Sequence, residues 1–357
     1  MTILYLSDQD LDNGSGVSRK ILAQVRAWEK ENHRVVLVST ASLTFFTSAG
    51  ERIGIPHLRI QRRGWRIFAH LLVGTWRLRR LLHDVSFDLV YTRYRLYAPF
   101  FRNALKNRPL VVEINSDDRR EYRSSSVLLA GYNRLFRRFF LQDADGFVCV
   151  SRELSKTFCI RGKPCAVLAN GADVSSIPFM PSVSNPRPTF VFIGSAGQPW
   201  HGVDKIVAMA QSMKAFDFHV VGTEGASTDN LFFHGFLDAR EHQLLVGSCD
   251  IGIGSLALHR IGMHEASPLK TRQYLAQGLP VLYAYDDTDL ASKEPFALCL
   301  PNTEDNVQTH AEAIAAFALK VWNDAQVRHQ AREFAMKHLD VSVKERIRLE
   351  FFRKVLG

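Results

Sequence analysis

"SSIPFMPSVSNPRPTFVFIGS", residues 175–195, holds four prolines before it turns into an unbroken apolar run that ends on a glycine. Proline fixes φ and removes a ladder donor, so the first part can form neither a helix nor a central strand. The second part reads as a buried strand opening into a loop. The stretch therefore predicts a linker over 173–188, after which the chain begins to fold a second time.

Reading outward supports that division. Before the linker come "ILYLS", "RVVLVST", "DLVYTR", "LVVEIN", "GFVCVS" and "AVLAN"; after it come "TFVFIGS", "FDFHVVG", "LFFHGF", "DIGIGSL" and "LPVLYA". These runs are continuous, and helix-like stretches such as 19–31 separate most of them. That pattern predicts parallel strands covered on both faces, in two α/β domains. A chain of 357 residues suits two cores of ordinary size. The expected boundaries are a first Rossmann-like domain over 1–172, a second over 189–340, and a helix over 341–357 that packs back on the first domain.

With 46% hydrophobic and 23% charged residues, disordered and collagen-like classes are excluded. No apolar run is long enough to span a bilayer. The chain opens directly into a strand with no basic leader, so a cytoplasmic protein is expected. Cys149, Cys159, Cys165, Cys249 and Cys299 are odd in number and lack paired spacing. They are expected to be small buried hydrophobes, with neither a zinc site nor a disulfide framework.

Residues 1–170 carry 28 Lys+Arg against 15 Asp+Glu, and the remainder carries 17 against 21. A basic partner surface therefore belongs to the first half. In "RRGWRIFAHLLVGTWRLRRLLHD" a helical wheel places Arg62, Arg63, Arg66, His70, Arg77 and Arg80 in one stripe, with Phe68, Leu71, Leu78 and Leu82 opposite. Arg134, Arg137 and Arg138 repeat the theme among aromatics. Two readings stand: a face for anionic lipid headgroups and a lipid-linked acceptor, or a solvated basic face. No nucleic-acid module is present, so no nucleic-acid partner is expected.

In "HEASPLKTRQYLAQGLPVLYA", residues 264–284, Ser267 reads as an N-cap, Pro268 as the first helical residue, and Gly278 with Pro280 as the stop. Lys270 then falls in the first turn, which already carries about half a positive charge from unpaired N–H groups. A cation there is unfavourable unless an anion docks. Lys270, Gln273 and Gln277 form a polar stripe, while Leu269, Leu275 and Ala276 turn toward the sheet.

This stretch resembles the E-x7-E region of the group 1, or family 4, retaining glycosyltransferases of the GT-B fold. "DADGFVCVSRELS…AVLANGAD", "FIGSAGQPWHGVDKIV" and "NGSGVSRKI" are similar to that family's crossing segment, phosphate loop and Gly-rich N-terminal loop. The resemblance spans nearly the whole chain. It implies two Rossmann-like domains facing across a cleft, and transfer of a sugar from a nucleotide-sugar donor to a glycan or lipid-linked acceptor with retained configuration. Three positions depart from the pattern: Gln273 stands for the second glutamate, His201 for the start of a Lys-Gly pair, and Ser195 for a common arginine. These departures motivate an alternative, a non-catalytic nucleotide-sugar-binding scaffold.

Glycosyl transfer builds positive charge at the anomeric carbon and negative charge on the departing diphosphate. No convincing acidic pair for a metal appears, so no metal and no cofactor is expected; helix N-termini and Lys270 would take the phosphate charge. The resemblance places Glu265 beside the sugar, and Gly16, Ser195, His201, Pro268, Leu269, Lys270 and Gln273 around the donor. His201 and Trp200 can equally just pack under their loop. Arg19 replaces the third glycine of a dinucleotide fingerprint, which disfavours NAD. Glu113 and Asn115, at a predicted strand end, either contact sugar or acceptor, or Glu113 pairs with a nearby arginine.

Overall fold

A computed structural model describes residues 1–12, 14–54, 66–181, 184–290 and 293–357, with the side chains of 66–70, 124, 125 and 239 left out of account. Two compact units emerge: residues 1–169 with 344–357, and residues 170–343.

The first unit is built on an eight-stranded sheet: β1 (Thr2–Ser7), β2 (Arg34–Ser39), β3 (Thr44–Phe46), β4 (Arg52–Ile53), β5 (Leu89–Arg93), β6 (Leu110–Ile114), β7 (Gly146–Cys149) and β8 (Cys165–Val167), in the order 4-3-2-1-5-6-7-8. All neighbours are parallel except β2–β3 and β3–β4. Between strands run α1 (Gly16–Lys30), α2 (Arg66–Leu81), α3 (Phe101–Ala104), α4 (Asp118–Ser125), α5 (Val127–Asp143) and α6 (Arg152–Phe158). Strand order reverses between β1 and β5, the switch point at which open α/β sheets place ligands.

The second unit holds a six-stranded parallel sheet of β9 (Thr189–Ile193), β10 (Asp217–Val221), β11 (Leu231–Phe233), β12 (Ile251–Ile253), β14 (Val281–Tyr283) and β16 (Ala297–Cys299). Its order is 11-10-9-12-14-16, with the reversal between β9 and β12. A small parallel pair, β13 (Glu265–Ala266) and β15 (Asp286–Asp287), stands apart. Helices α7 (Val203–Ser212), α8 (Ala239–Gly247), α9 (Leu269–Gln277), α10 (Asn306–Thr309), α11 (Ala311–Val321) and α12 (Ala325–Phe334) cover it, and α13 (Val341–Leu356) closes the chain.

The end of α13 completes the first core. Phe352 stacks edge-on to Trp28 at 5.5 Å, and Trp28 donates to the Glu345 carboxylate at 2.8 Å. Residues 173–181, expected to be a free linker, are docked along the second unit. Met180 donates to the Gln277 carbonyl at 2.9 Å, and Arg332 donates to the carbonyls of Ile177 and Val174 at 2.8 and 2.9 Å. Prolines stop the segment from joining a sheet, but its carbonyls still need donors, and the half-buried Arg332 supplies them.

The cysteine expectation is corrected in part. Cys249 is buried as expected, but Cys159 and Cys165 are joined by a disulfide. Cys159, at the carboxyl end of α6, and Cys165, at the start of β8, have Cα atoms 5.9 Å apart. Among the described residues no helix is long and apolar enough to cross a membrane.

Candidate functional site

The carboxyl end of β9, at the switch point of the second sheet, opens into Gly194. A Cβ there would lie 2.6 Å from the Phe192 ring and 2.7 Å from His201 Nδ1, so glycine is the residue that lets the loop press on both rings. The chain then rises through Ser195, which is exposed, into a 3-10 turn at Pro199–His201. Gly202, at φ 71°, admits the left-handed step that launches α7.

Lys270 lies in the first turn of α9. Its stem is partly exposed, but its ammonium is buried without a hydrogen-bond partner among the described residues and sits 4.0 Å above the centre of the Phe192 ring. Burial pulls its pKa down to about 7. His201 is buried against Phe192 and Trp200. Burial first, then the nearby Lys270 charge, pushes it down to about 3, so it is a neutral imidazole at pH 7. The loop residues Ser195 and His201 and the helical Lys270 are thus brought together, and the alternative in which His201 packs under the loop is realised without removing it from the site.

The first turn of α9 is held rigidly. Ser267, expected as its N-cap, instead accepts a hydrogen bond from the backbone N–H of Asn170 at 2.7 Å, while the Asn170 amide donates to the Ser267 carbonyl at 2.6 Å. Pro268 occupies the cap position and has no side-chain oxygen to offer, which leaves the helical N–H groups of the first turn without a side-chain cap. Arg272 is buried and bridges Asp287 on β15, Asp289 at 3.2 Å and the Asn170 carbonyl at 3.2 Å. The backbone N–H of Ile193 donates to the Tyr274 hydroxyl at 2.9 Å, tying α9 to β9.

Glu265 lies on β13 and is largely buried, five residues ahead of Lys270. Leu269 opens α9, and Gln273 is half-buried one turn beyond it. The expected polar stripe is broken at its far end: Gln277 is buried, since the helix lies flat enough on its neighbours to cover that turn.

In the first unit Gly16 begins α1, whose N-cap is Ser15, accepting from Ser18 N–H at 3.1 Å. Lys20, one turn along, donates to Glu113 at 2.9 Å and to the Asn115 side-chain amide oxygen Oδ1 at 2.8 Å. Glu113 is fully buried; burial alone would raise its carboxyl, but Lys20, Arg348 and Arg93 hold it well below the usual carboxylate range. Of the two readings of Glu113, pairing with basic groups is the one found, and a carboxylate so enclosed does not reach a ligand. The Asn115 amide nitrogen has no partner.

Arg62 and Arg63 lie outside the described residues, and Arg66 is described only as the first residue of α2. Arg77 and Arg80 are exposed, with Leu71, Leu78 and Leu82 buried opposite, as the wheel requires. The wheel missed the exposed Leu72, Val73 and Trp76, with the Arg80 guanidinium 4.1 Å over the Trp76 ring. It also missed exposed Phe100, Val127, Leu128 and Leu135 elsewhere in the same unit. Lys20 and Phe192 were missed as well; a lysine one turn into the glycine-led helix was the available signal for the first.

Residues 14–176 match the family described as Glycosyltransferase Family 4. A search of curated proteins finds no match. Among solved structures, sucrose-phosphate synthase from Thermosynechococcus elongatus superposes with a TM-score of 0.76 at 12% identity, covering 99% of both chains. The catalytic domain of starch synthase IV from Arabidopsis thaliana, bound to ADP and acarbose, gives 0.71 at 11% identity, over 100% of this chain and 99% of that one. Anabaena HepE in complex with UDP-glucose gives 0.63 at 15%, over 99% and 100%.

Proposed function

We infer, for a chain whose residues 14–176 form a glycosyltransferase family 4 domain and whose whole length has the GT-B fold, that it transfers a sugar from a nucleoside diphosphate donor to an acceptor with retention of configuration. One observation carries this reading: the buried, unpaired ammonium of Lys270 at the open N-terminus of α9, beside the Gly194 loop. An uncompensated buried cation is costly, and a diphosphate supplies the missing charge while its oxygens accept from the helical N–H groups. The UDP-glucose held by the Anabaena relative and the ADP held by the plant enzyme support this donor class.

In this reading Lys270 and the first turn of α9 take the charge that develops on the departing diphosphate, the part a metal would otherwise play. His201, a neutral imidazole, donates a hydrogen bond to the phosphate through its ring N–H. Glu265 orients sugar hydroxyls and offsets positive charge at the anomeric carbon. Gln273 accepts a ribose hydroxyl through its amide oxygen. Gly16 and Asn115 serve sugar or acceptor from the first unit, and Glu113 acts through Lys20. Glu265→Ala should abolish transfer and leave the melting temperature within about 2 °C of the parent; turnover that persists would remove its assigned role.

The exposed Leu72, Val73 and Trp76 among Arg77, Arg79 and Arg80 support a lipid-linked acceptor met at an anionic membrane surface, in glycan biosynthesis on the cytoplasmic side. Cosedimentation with anionic but not neutral vesicles, weakened by Trp76→Ser, is the expected result; equal binding of neither would end this part. The scaffold alternative draws on Gln273, Ser195 and the uncharged His201. Donor hydrolysis absent with every acceptor, alongside diphosphate binding, would favour it.

A further inference from the structure

Three sulfur atoms converge in the first unit. Cys149 ends β7, Cys159 caps the carboxyl end of α6, and Cys165 opens β8. Their Sγ atoms lie within 4.8 Å of one another. Cys149 and Cys159 are 3.9 Å apart, and Cys159 and Cys165 share the disulfide. The trio runs from inside to outside: Cys149 is buried, Cys159 half-buried, Cys165 exposed.

We propose that, once the disulfide is reduced, these three cysteines hold a single thiophilic cation of the zinc or copper(I) class. Two thiolates bound to one metal at about 2.3 Å stand roughly 3.8 to 4.0 Å apart across a tetrahedral or trigonal angle, which is the separation of Cys149 and Cys159. Cys165, being exposed, can swing its sulfur away from Cys159 to complete a three-sulfur set. Soft thiolate ligands select this class of cation over magnesium or calcium.

The chemistry balances with one external reagent. A dithiol reductant supplies two electrons and two protons, breaking the Cys159–Cys165 bond and becoming a disulfide itself. The incoming cation then displaces one proton from each of three thiols and forms three metal–sulfur bonds. The disulfide is the closed form of the site, which makes occupancy follow the redox state. The nine- and five-residue gaps between these cysteines match no paired zinc motif; the pairing of β7 with β8 and the end of α6 beside them bring the sulfurs together.

The test uses the full chain, reduced with a dithiol, desalted without oxygen, and titrated with Zn²⁺ against a chromophoric chelator. Co²⁺ serves as a second probe through its thiolate charge-transfer absorption. One equivalent per chain is expected for the reduced protein and none for the oxidised one. Cys149→Ala and Cys165→Ala should each weaken binding by more than about 100-fold, beyond the loss seen when only an outer-shell partner is removed. A Cys249→Ala, Cys299→Ala double variant should bind as the parent does. The proposal fails if the reduced chain takes up no more metal than the oxidised one, or if Cys165→Ala keeps parental affinity. Cys165 is exposed, so that variant remains folded even if Cys149→Ala does not.

Discussion

Two lysines, one in each unit, stand near the carboxyl ends of their sheets under opposite conditions. Lys20 is buried and answered: Glu113 and Asn115 accept from it at 2.9 and 2.8 Å. The Lys270 ammonium is buried and, among the described residues, has no hydrogen-bond partner; it lies over the face of Phe192 at 4.0 Å. Burial lowers both, but Lys270 falls to about 7. A paired buried cation is explained by the fold that pairs it. An unpaired one costs the fold free energy, and in the proposed function that cost is offset when a diphosphate docks.

The comparison breaks most visibly from the paired side. Glu113→Ala would leave Lys20 buried without its carboxylate, while Arg348 keeps Glu345 at 2.7 Å, and should destabilise the first unit by about 3–5 kcal/mol. Urea titration checks this; a loss below about 1 kcal/mol would mean that the pairing is not structural.

The unpaired side has a pH signature. Lys270 has a folded pKa near 7 against an ordinary value of 10.5, so between those values the unfolded chain binds more protons and stability rises with pH. The penalty is fully present below pH 7 and gone above about 10.5. Ligand-free protein should therefore gain on the order of 2 kcal/mol between pH 7 and 9, a gain that Lys270→Met removes while raising the melting temperature at pH 7. A profile identical in parent and variant would deny the unpaired state.

The smallest expected effect sharpens the choice between enzyme and scaffold. Gln273→Glu exchanges a neutral acceptor for a charged one and should tighten nucleoside diphosphate binding by about 0.5 to 1.5 kcal/mol. Weaker binding would place Gln273 away from the ribose.

The strand pattern was legible because doubly covered parallel strands are continuous apolar runs, and the helix expected over 268–277 lies at Leu269–Gln277. What was not legible depended on which partner each group meets. Ser267 has the chemistry of an N-cap, but Asn170, 97 positions away, claims its hydroxyl. Gln277 follows the helical period of Lys270 and is nevertheless covered. Phe192 reads as one more apolar residue of β9; that its ring lies under an ammonium follows from where α9 docks. The linker prolines were read correctly as ruling out regular structure, but not as leaving carbonyls for Arg332 to satisfy. The cysteine spacing was uninformative because a pair of strands and the end of a helix, not a motif, set the sulfur distances.

The most direct measurement is isothermal titration of the full chain with nucleoside diphosphates at pH 8, in two buffers of different ionisation heat. If a diphosphate docks on Lys270, binding restores its charge and takes up close to one proton, on the order of 0.9 for a group titrating near 7. In Lys270→Met, affinity should fall about 10- to 100-fold, the worth of a charged hydrogen bond, and that uptake should vanish. Tight binding with no proton uptake in the parent, or with the same uptake in the variant, would contradict the account.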